Sequence, residues 1–140
     1  MKYKQGKYIP KKPSKYKGDP RNVVYRSSWE YKFMLWCDQT SSVTEWGSEE
    51  IAVPYISPVD GKRHKYYPDF YVKVNNKKYM VEVKPAKQTK EPKIQRKVTK
   101  RYITEVVTYA RNQAKWNAAK EFCKDYGWEF MLITEKELKV

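Results

Sequence analysis

A run of strand-forming residues on either side of Asn75-Asn76 constrains this chain more than any other feature. Residues 64–74 and 77–85 are rich in aromatic and β-branched side chains: Tyr66, Tyr67, Phe70, Tyr71, Val72 and Val74, then Tyr79, Val81 and Val83. Asparagine tolerates positive φ, so Asn75-Asn76 reads as the two-residue turn of a β-hairpin. With that turn, Phe70 faces Val81, Val72 faces Tyr79, and Asp69 faces Glu82. Strand side chains alternate between faces. Phe70, Val72, Val74, Tyr79, Val81 and Val83 therefore share an apolar face, and Asp69, Glu82 and Lys84 share the other.

The second face is unusual. Like charges directly opposite one another across a ladder are unfavourable. A divalent cation or a raised pKa relieves the conflict. So does plain solvation, with Lys73, Lys78 and Lys84 screening the acids. The geometry alone leaves both readings open, and a longer turn or a bulge would shift the register.

Composition narrows the partner. The 140 residues suit one domain with a real core. The chain carries 30 Lys and Arg against 16 Asp and Glu, a net charge of +14. With thirteen Tyr and five Trp it is not the composition of a disordered chain. The cations cluster. Residues 1–21 hold eight (Lys2, Lys4, Lys7, Lys11, Lys12, Lys15, Lys17, Arg21), and residues 84–101 hold eight more (Lys84, Lys87, Lys90, Lys93, Arg96, Lys97, Lys100, Arg101). A polyanion is the natural partner, with a merely soluble basic surface as the bland alternative. No stretch approaches the roughly 20 apolar residues of a spanning helix, and the N-terminus lacks the apolar core of a signal peptide, so no membrane is expected. Cys37 and Cys123 sit in apolar helical contexts and read as buried, reduced thiols. With His64 as the single histidine, neither a structural zinc site nor Ser-His-Asp chemistry is indicated. No Gly-rich phosphate loop and no internal repeat is present.

Along the chain, residues 1–21 read as a basic extended arm and residues 22–140 as a single domain. Ser27 and Glu30 fit the N-cap and N3 positions of a capping box. Trp29, Phe33, Trp36 and Cys37 form the expected buried stripe of the first helix, which ends around Gln39–Ser42. Residues 43–46 and 49–56 read as two short strands bent at Gly47, and Pro58–Gly61 as a tight turn into the hairpin. After a basic loop at 85–97, a long helix is expected from Val98 to Tyr126, with Ile103, Val106, Val107, Ala110, Ala114, Ala118, Phe122 and Cys123 as its stripe. Gly127 stops it. Residues 128–133 form a last strand, and Thr134–Leu138 a capped helical turn. The order is α-β-β-β-α-β. A long helix joining the hairpin to the last strand implies a parallel pair within a mixed α/β sheet, with helices on both faces.

Glu30 on the first helix, Pro68-Asp69, Glu82-Val83-Lys84 and this element order together resemble the PD-(D/E)XK nuclease superfamily, with its restriction-endonuclease-like α+β core. Tyr25-Arg26-Ser27-Ser28-Trp29-Glu30 and Pro68-Asp69-Phe70 look like the group that contains transposon endonucleases. The runs Gly6–Pro10, Tyr25–Glu30, Ser48-Glu49-Glu50, Pro54–Gly61, Pro68-Asp69-Phe70 and Ile133-Thr134-Glu135 are similar to the head-completion nucleases of large contractile-tailed phages.

The resemblance implies a Mg2+-dependent deoxyribonuclease, with Mn2+ able to substitute. It would act by endo- and exonucleolytic cleavage in phage head completion and head–tail joining, in the host-cell cytoplasm or on the virion, with portal or neck proteins as partners. Glu30, Asp69, Glu82 and Lys84 are the implied catalytic residues; Asp69, Glu82 and the Val83 carbonyl are the implied metal ligands. Glu30 also has a purely structural reading as the partner of Ser27. Arg26, Lys87, Arg111 and Lys115 are candidate phosphate contacts, although each alone also reads as a solvated cation. Gln113 sits beside Lys115 where the superfamily sometimes places an accessory polar residue. Tyr66, Tyr67 and Tyr71 are placed either to stack on bases or to pack against helices. Two other functions share these features: a non-catalytic DNA-binding or head-assembly module, and a transposon-end or junction-cleaving endonuclease.

Overall fold

The structure is a computed structural model that describes residues 5–139. Two short strands, β1 (Gly6–Tyr8) and β2 (Val23–Tyr25), pair antiparallel at the start. Helix α1 (Ser28–Gln39) follows, then β3 (Val43–Ser48), β4 (Val53–Ile56), β5 (Arg63–Tyr66), β6 (Phe70–Val74) and β7 (Lys77–Val83). The long helix α2 (Lys100–Tyr126) leads to β8 (Glu129–Ile133) and the short α3 (Glu135–Leu138). The central sheet has the order β3-β6-β7-β8, with β8 parallel to β7 and the other pairs antiparallel. Strands β4 and β5 form a separate hairpin. Along the central sheet the chain reads α-β-β-β-α-β, the mixed α+β core expected from the sequence.

The β6–β7 register follows the hydrophobic period. Phe70 pairs with Val81, Val72 with Tyr79 and Val74 with Lys77. Asn75 takes a φ of 49°, and its N–H donates to the Ser42 carbonyl at 2.9 Å, which ties the turn to the start of β3. Phe70, Val72, Val81 and Val83 are buried against Phe33, Met34 and Cys37 of α1. Full burial of each such side chain contributes about 1.5–3 kcal/mol. The opposite face buries Met80 against Trp116, Ala119 and Cys123 of α2, with Val53, Tyr55 and Tyr66 of the β4–β5 hairpin closing the side. Met80 and Glu82 are two residues apart on one strand, so both point to the α2 face.

The N-terminal segment is built into this frame. Tyr8 and Tyr16 are buried, and both rings meet Trp46 edge-on. The Lys17 N–H donates to the Trp46 carbonyl at 2.7 Å, so the segment covers the free edge of β3. A Cβ at Gly47 would lie 2.9 Å from the Lys17 carbonyl oxygen, which is why a glycine stands there. Tyr8 donates its hydroxyl proton to the buried Asp38 carboxylate, and the Lys11 N–H donates to Asp38 Oδ2 at 2.9 Å. Lys15 Nζ donates to the carbonyls of Cys37, Asp38 and Thr40 at 3.1, 3.2 and 2.9 Å. A cation on these orphan carbonyls satisfies the end of α1 and opposes its dipole. Burial lowers the Lys15 pKa.

Four expectations are corrected. Gly47 lies inside β3 rather than at a bend; the turn comes at Glu49, with φ 55°. The strand expected over 64–74 is broken at Tyr67–Asp69, because β5 pairs with β4 while β6 joins the central sheet. Trp36 is 45% exposed, since the arm covers Asp38 and the buried face of α1 is rotated toward Met34, Cys37 and Asp38. Ile103 and Val106 are exposed, and no residue of 100–111 is buried. The burial of α2 begins at Asn112 and runs through Trp116, Ala119 and Cys123, where the helix meets the sheet and the β4–β5 hairpin. Gly127, with φ 71°, ends it as expected, and both cysteines are free and buried.

Replacing Lys15 with Met should therefore lower stability by about 1–2 kcal/mol in urea denaturation. Lys12→Met, at an exposed neighbour, should change it by less than about 0.5 kcal/mol.

Candidate active site

The β6–β7 ladder ends at the Phe70–Val81 pair. Beyond it β7 stays with β8: Glu82 and Val83 pair with Leu132 and Ile133, and the Lys84 N–H donates to the Ile133 carbonyl at 2.9 Å. On the other side the chain at Pro68-Asp69 leaves the sheet, and the Glu49 N–H donates to the Asp69 carbonyl at 3.1 Å. The two strands part here, and a side chain bridges them. Asp69 Oδ2 accepts from the Val83 N–H at 2.8 Å. That bond, made just beyond the end of the ladder and not through a paired register, holds the Asp69 carboxyl close enough for the Glu82 charge to act on it.

Glu82 is buried, at 4% exposure. Its Oε1 accepts from the Tyr66 hydroxyl at 2.6 Å, and its Oε2 lies 3.4 Å from Lys84 Nζ. The two oxygens are thus held by different partners, which fixes the carboxylate plane. Burial, and next the Glu82 charge, raise the Asp69 pKa well above the ordinary carboxylate value; the Val83 N–H and Lys84 oppose the rise. Burial, followed by the Glu82 charge, likewise raises the Tyr66 pKa and keeps the hydroxyl a donor.

Glu30 reaches the same neighbourhood from α1. Ser27 caps the helix by accepting from the Glu30 N–H at 3.1 Å. The reciprocal half of the capping box is not made: Glu30 Oε1 accepts from the Arg26 N–H at 3.3 Å. Burial raises the Glu30 pKa, with a smaller push from Glu82 and an opposing pull from Lys84. Glu30 is thus within electrostatic reach of the pair. Among the described residues, however, no three His, Cys, Asp or Glu side chains converge closely enough to hold one ion.

The four candidate phosphate contacts divide. Lys115 joins the site: its Nζ stands 5.7 Å from the Tyr66 ring centroid and 5.9 Å from that of Tyr55. Burial lowers its pKa, while Glu82 and Asp69 pull it up. Arg111 lies one helical turn before it, close enough for its charge to act on Lys115. Arg26 is ion-paired with Glu49. Lys87 is exposed on the 3-10 turn Ala86–Thr89, just past Lys84. Glu135 Oε1 accepts from the Ala86 N–H at 2.7 Å and anchors that exit. His64 is engaged away from the carboxylates, with Nε2 2.8 Å from Asp60 Oδ2.

Sequence reasoning missed Tyr66 as the partner of Glu82, weighing it only for stacking or packing. The signal was weak, because the break at Tyr67–Asp69 is marked only by Pro68-Asp69, which the site motif also claims.

The donor set fits a hard divalent cation. Two carboxylates, one of them held against its own charge repulsion, and a nearby backbone carbonyl are all oxygen donors. Among the described residues, the cations that act on both acids are Lys84 and the more distant Lys115.

Residues 40–135 match the family described as TnsA-like endonuclease N terminal. The head completion nuclease of Enterobacteria phage T4 is 36% identical over 139 residues, covering 96% of this chain and 93% of that protein.

The raised Asp69 pKa has a sign that can be checked. Between the unfolded value of about 3.9 and the higher folded value, the folded state keeps a proton that the unfolded state has released. Stability of the metal-free protein therefore falls as pH rises through that window. Thermal unfolding in EDTA should show a Tm that declines as pH rises above the ordinary carboxylate value of about 3.9. Asp69→Asn should flatten that decline and raise Tm at neutral pH; an unchanged slope would mean that the acid is not strained.

Proposed function

This chain belongs to the TnsA-like endonuclease N-terminal family, and from its site we infer that it is a divalent-metal-dependent deoxyribonuclease. The observation that carries the reading is the pairing of Asp69 and Glu82 where β6 and β7 part, with Lys84 Nζ 3.4 Å from Glu82. Asp69, Glu82 and the Val83 carbonyl would hold Mg2+, with Mn2+ able to take its place. When bound, that ion supplies positive charge at the phosphodiester and makes an attacking water more acidic.

The chain's own residues do the rest. Asp69 and Glu82 fix the site through the Val83 N–H and the Tyr66 hydroxyl. Lys84 orients the attacking water or offsets the negative charge that grows on the phosphate. Glu30, partly buried and able to keep a proton longer than an ordinary carboxylate, is placed to exchange one with water beside the pair. Lys115 and Arg111 hold the phosphate backbone from α2. The net charge of +14 draws the polyanion in.

A relative named head completion nuclease, alike over nearly the whole chain, supports a role at the DNA of a filled phage head. In that reading the substrate is double-stranded DNA, and portal or neck proteins are the assembly partners.

Cleavage of circular plasmid and linear duplex tests the chemistry. Mg2+ should support cutting, and EDTA should abolish it. Lys84→Ala should lower the rate by about 100- to 1,000-fold, and Asp69→Ala should remove it while DNA binding survives. Tyr66→Phe should cost about 10- to 100-fold through misplacement of Glu82. Binding without cutting, across several metals and DNA forms, would point instead to a non-catalytic DNA-binding module.

A further inference from the structure

The loop that leaves Lys84 and the first half of α2 enclose a groove of about 790 Å3 that the carboxylate site does not use. Its walls carry Lys87, Lys90 and Lys93 from the loop and Arg101 from the helix; Glu91 and Glu105 are the acids there. Glu105 is paired with Arg101 at 3.3 Å, so the lysines set the sign of the groove.

Two tyrosines line the same groove, Tyr102 and Tyr109. They are seven residues apart on α2, which is about two turns, so they share a face about 10.5 Å apart along the axis. Both are partly buried, and among the described residues neither stacks on another aromatic ring. At the inner end Asn112 is buried, and Lys115 stands one turn further on, over Tyr66. The Asn112 end of the groove is thus one helical turn from Lys115, and its loop wall begins at Lys87, three residues after Lys84.

We propose that this groove binds a single strand of DNA, with Tyr102 and Tyr109 as stacking platforms and the loop lysines on the phosphates. Flat aromatic rings interleaved with cations form a binding surface for unpaired bases, since every base offers a π-face. The separation of the rings corresponds to about three nucleotide steps at 3.4 Å each. The volume is that of a ligand-sized cleft of about 300–1,000 Å3. It accepts a few bases and not a duplex, which would lie across the rim. The same feature explains why residues 100–111 of α2 include no buried side chain: their inner face is a wall of the groove and not part of the core. The assignment rests on the DNA-cleaving reading of Asp69 and Glu82. It gives the enzyme a preference for duplexes with a frayed or overhanging strand.

Fluorescence anisotropy in EDTA separates the groove from the chemistry. The probes are labelled oligodeoxythymidylate of twelve nucleotides and a blunt duplex of equal length. Tyr102→Ala/Tyr109→Ala should weaken binding of the single strand by about tenfold or more and change duplex binding by less than about threefold. Lys87→Gln/Lys90→Gln/Lys93→Gln should flatten the salt dependence of single-strand binding, by about 0.7 in the log–log slope for each phosphate no longer neutralised. Circular dichroism confirms that the variants fold; the lysines are surface residues whose replacement leaves the core intact. Failure of the parent to bind the single strand, or equal weakening of both ligands in the tyrosine variant, overturns the assignment. Either result leaves intact a Mg2+-dependent cleavage that is abolished in Asp69→Ala. Conversely, strand binding without cleavage by the parent would remove the nuclease reading and keep the groove.

Discussion

The hydrogen bond from the Val83 N–H to Asp69 Oδ2, 2.8 Å long, is the interaction on which the site depends. It falls where β6 and β7 stop pairing, so a carboxylate takes the donor that a strand would otherwise have satisfied. A buried backbone N–H left unpaired costs about 1–3 kcal/mol, so Asp69 cannot swing away freely. The same bond brings its charge against Glu82. Burial, and next the Glu82 charge, hold the Asp69 pKa well above the ordinary carboxylate value. A bound divalent cation would relieve the repulsion between the two acids.

The rest of the structure holds that fork open and oriented. Strand β8 fixes the Glu82–Lys84 side through parallel pairing, and α3 fixes the exit through Glu135. Packing on the α1 face is secured twice, by the sheet beneath and by the N-terminal segment around Asp38 and Lys15. That packing sets where Glu30 stands. On the other face, Trp116 and the β4–β5 hairpin bury Tyr66, whose hydroxyl orients Glu82. Core residues and candidate-site residues alternate along one strand: Val81 and Val83 serve the α1 core, while Glu82 between them turns to the opposite face, toward Tyr66.

The hairpin and its acids were legible because a period of two leaves little freedom once Asn75-Asn76 is taken as the turn. Phe70, Val72, Val81 and Val83 would all be misplaced by a slip of one residue. The capped start of α1 at Ser27 and the Gly127 stop were legible for similarly local reasons. What failed depended on distant chain. Gly47 looked like a bend, but it is a strand residue that lets the Lys17 carbonyl pass overhead. Trp36 looked like core, but the arm's grip on Asp38 rotates the helix and leaves it half open. Ile103 and Val106 continue the helical period of α2 into a stretch with no core beneath it. Tyr66 is the clearest case: its role follows from a strand changing sheets at Tyr67–Asp69, which local pattern does not encode.

The most direct measurement is anomalous diffraction from crystals soaked in Mn2+. The account predicts a peak at the β6–β7 fork, within about 2–2.6 Å of carboxylate oxygens from both Asp69 and Glu82. A peak that appears only elsewhere on the protein, with Asp69 and Glu82 clearly ordered and unliganded, would contradict it.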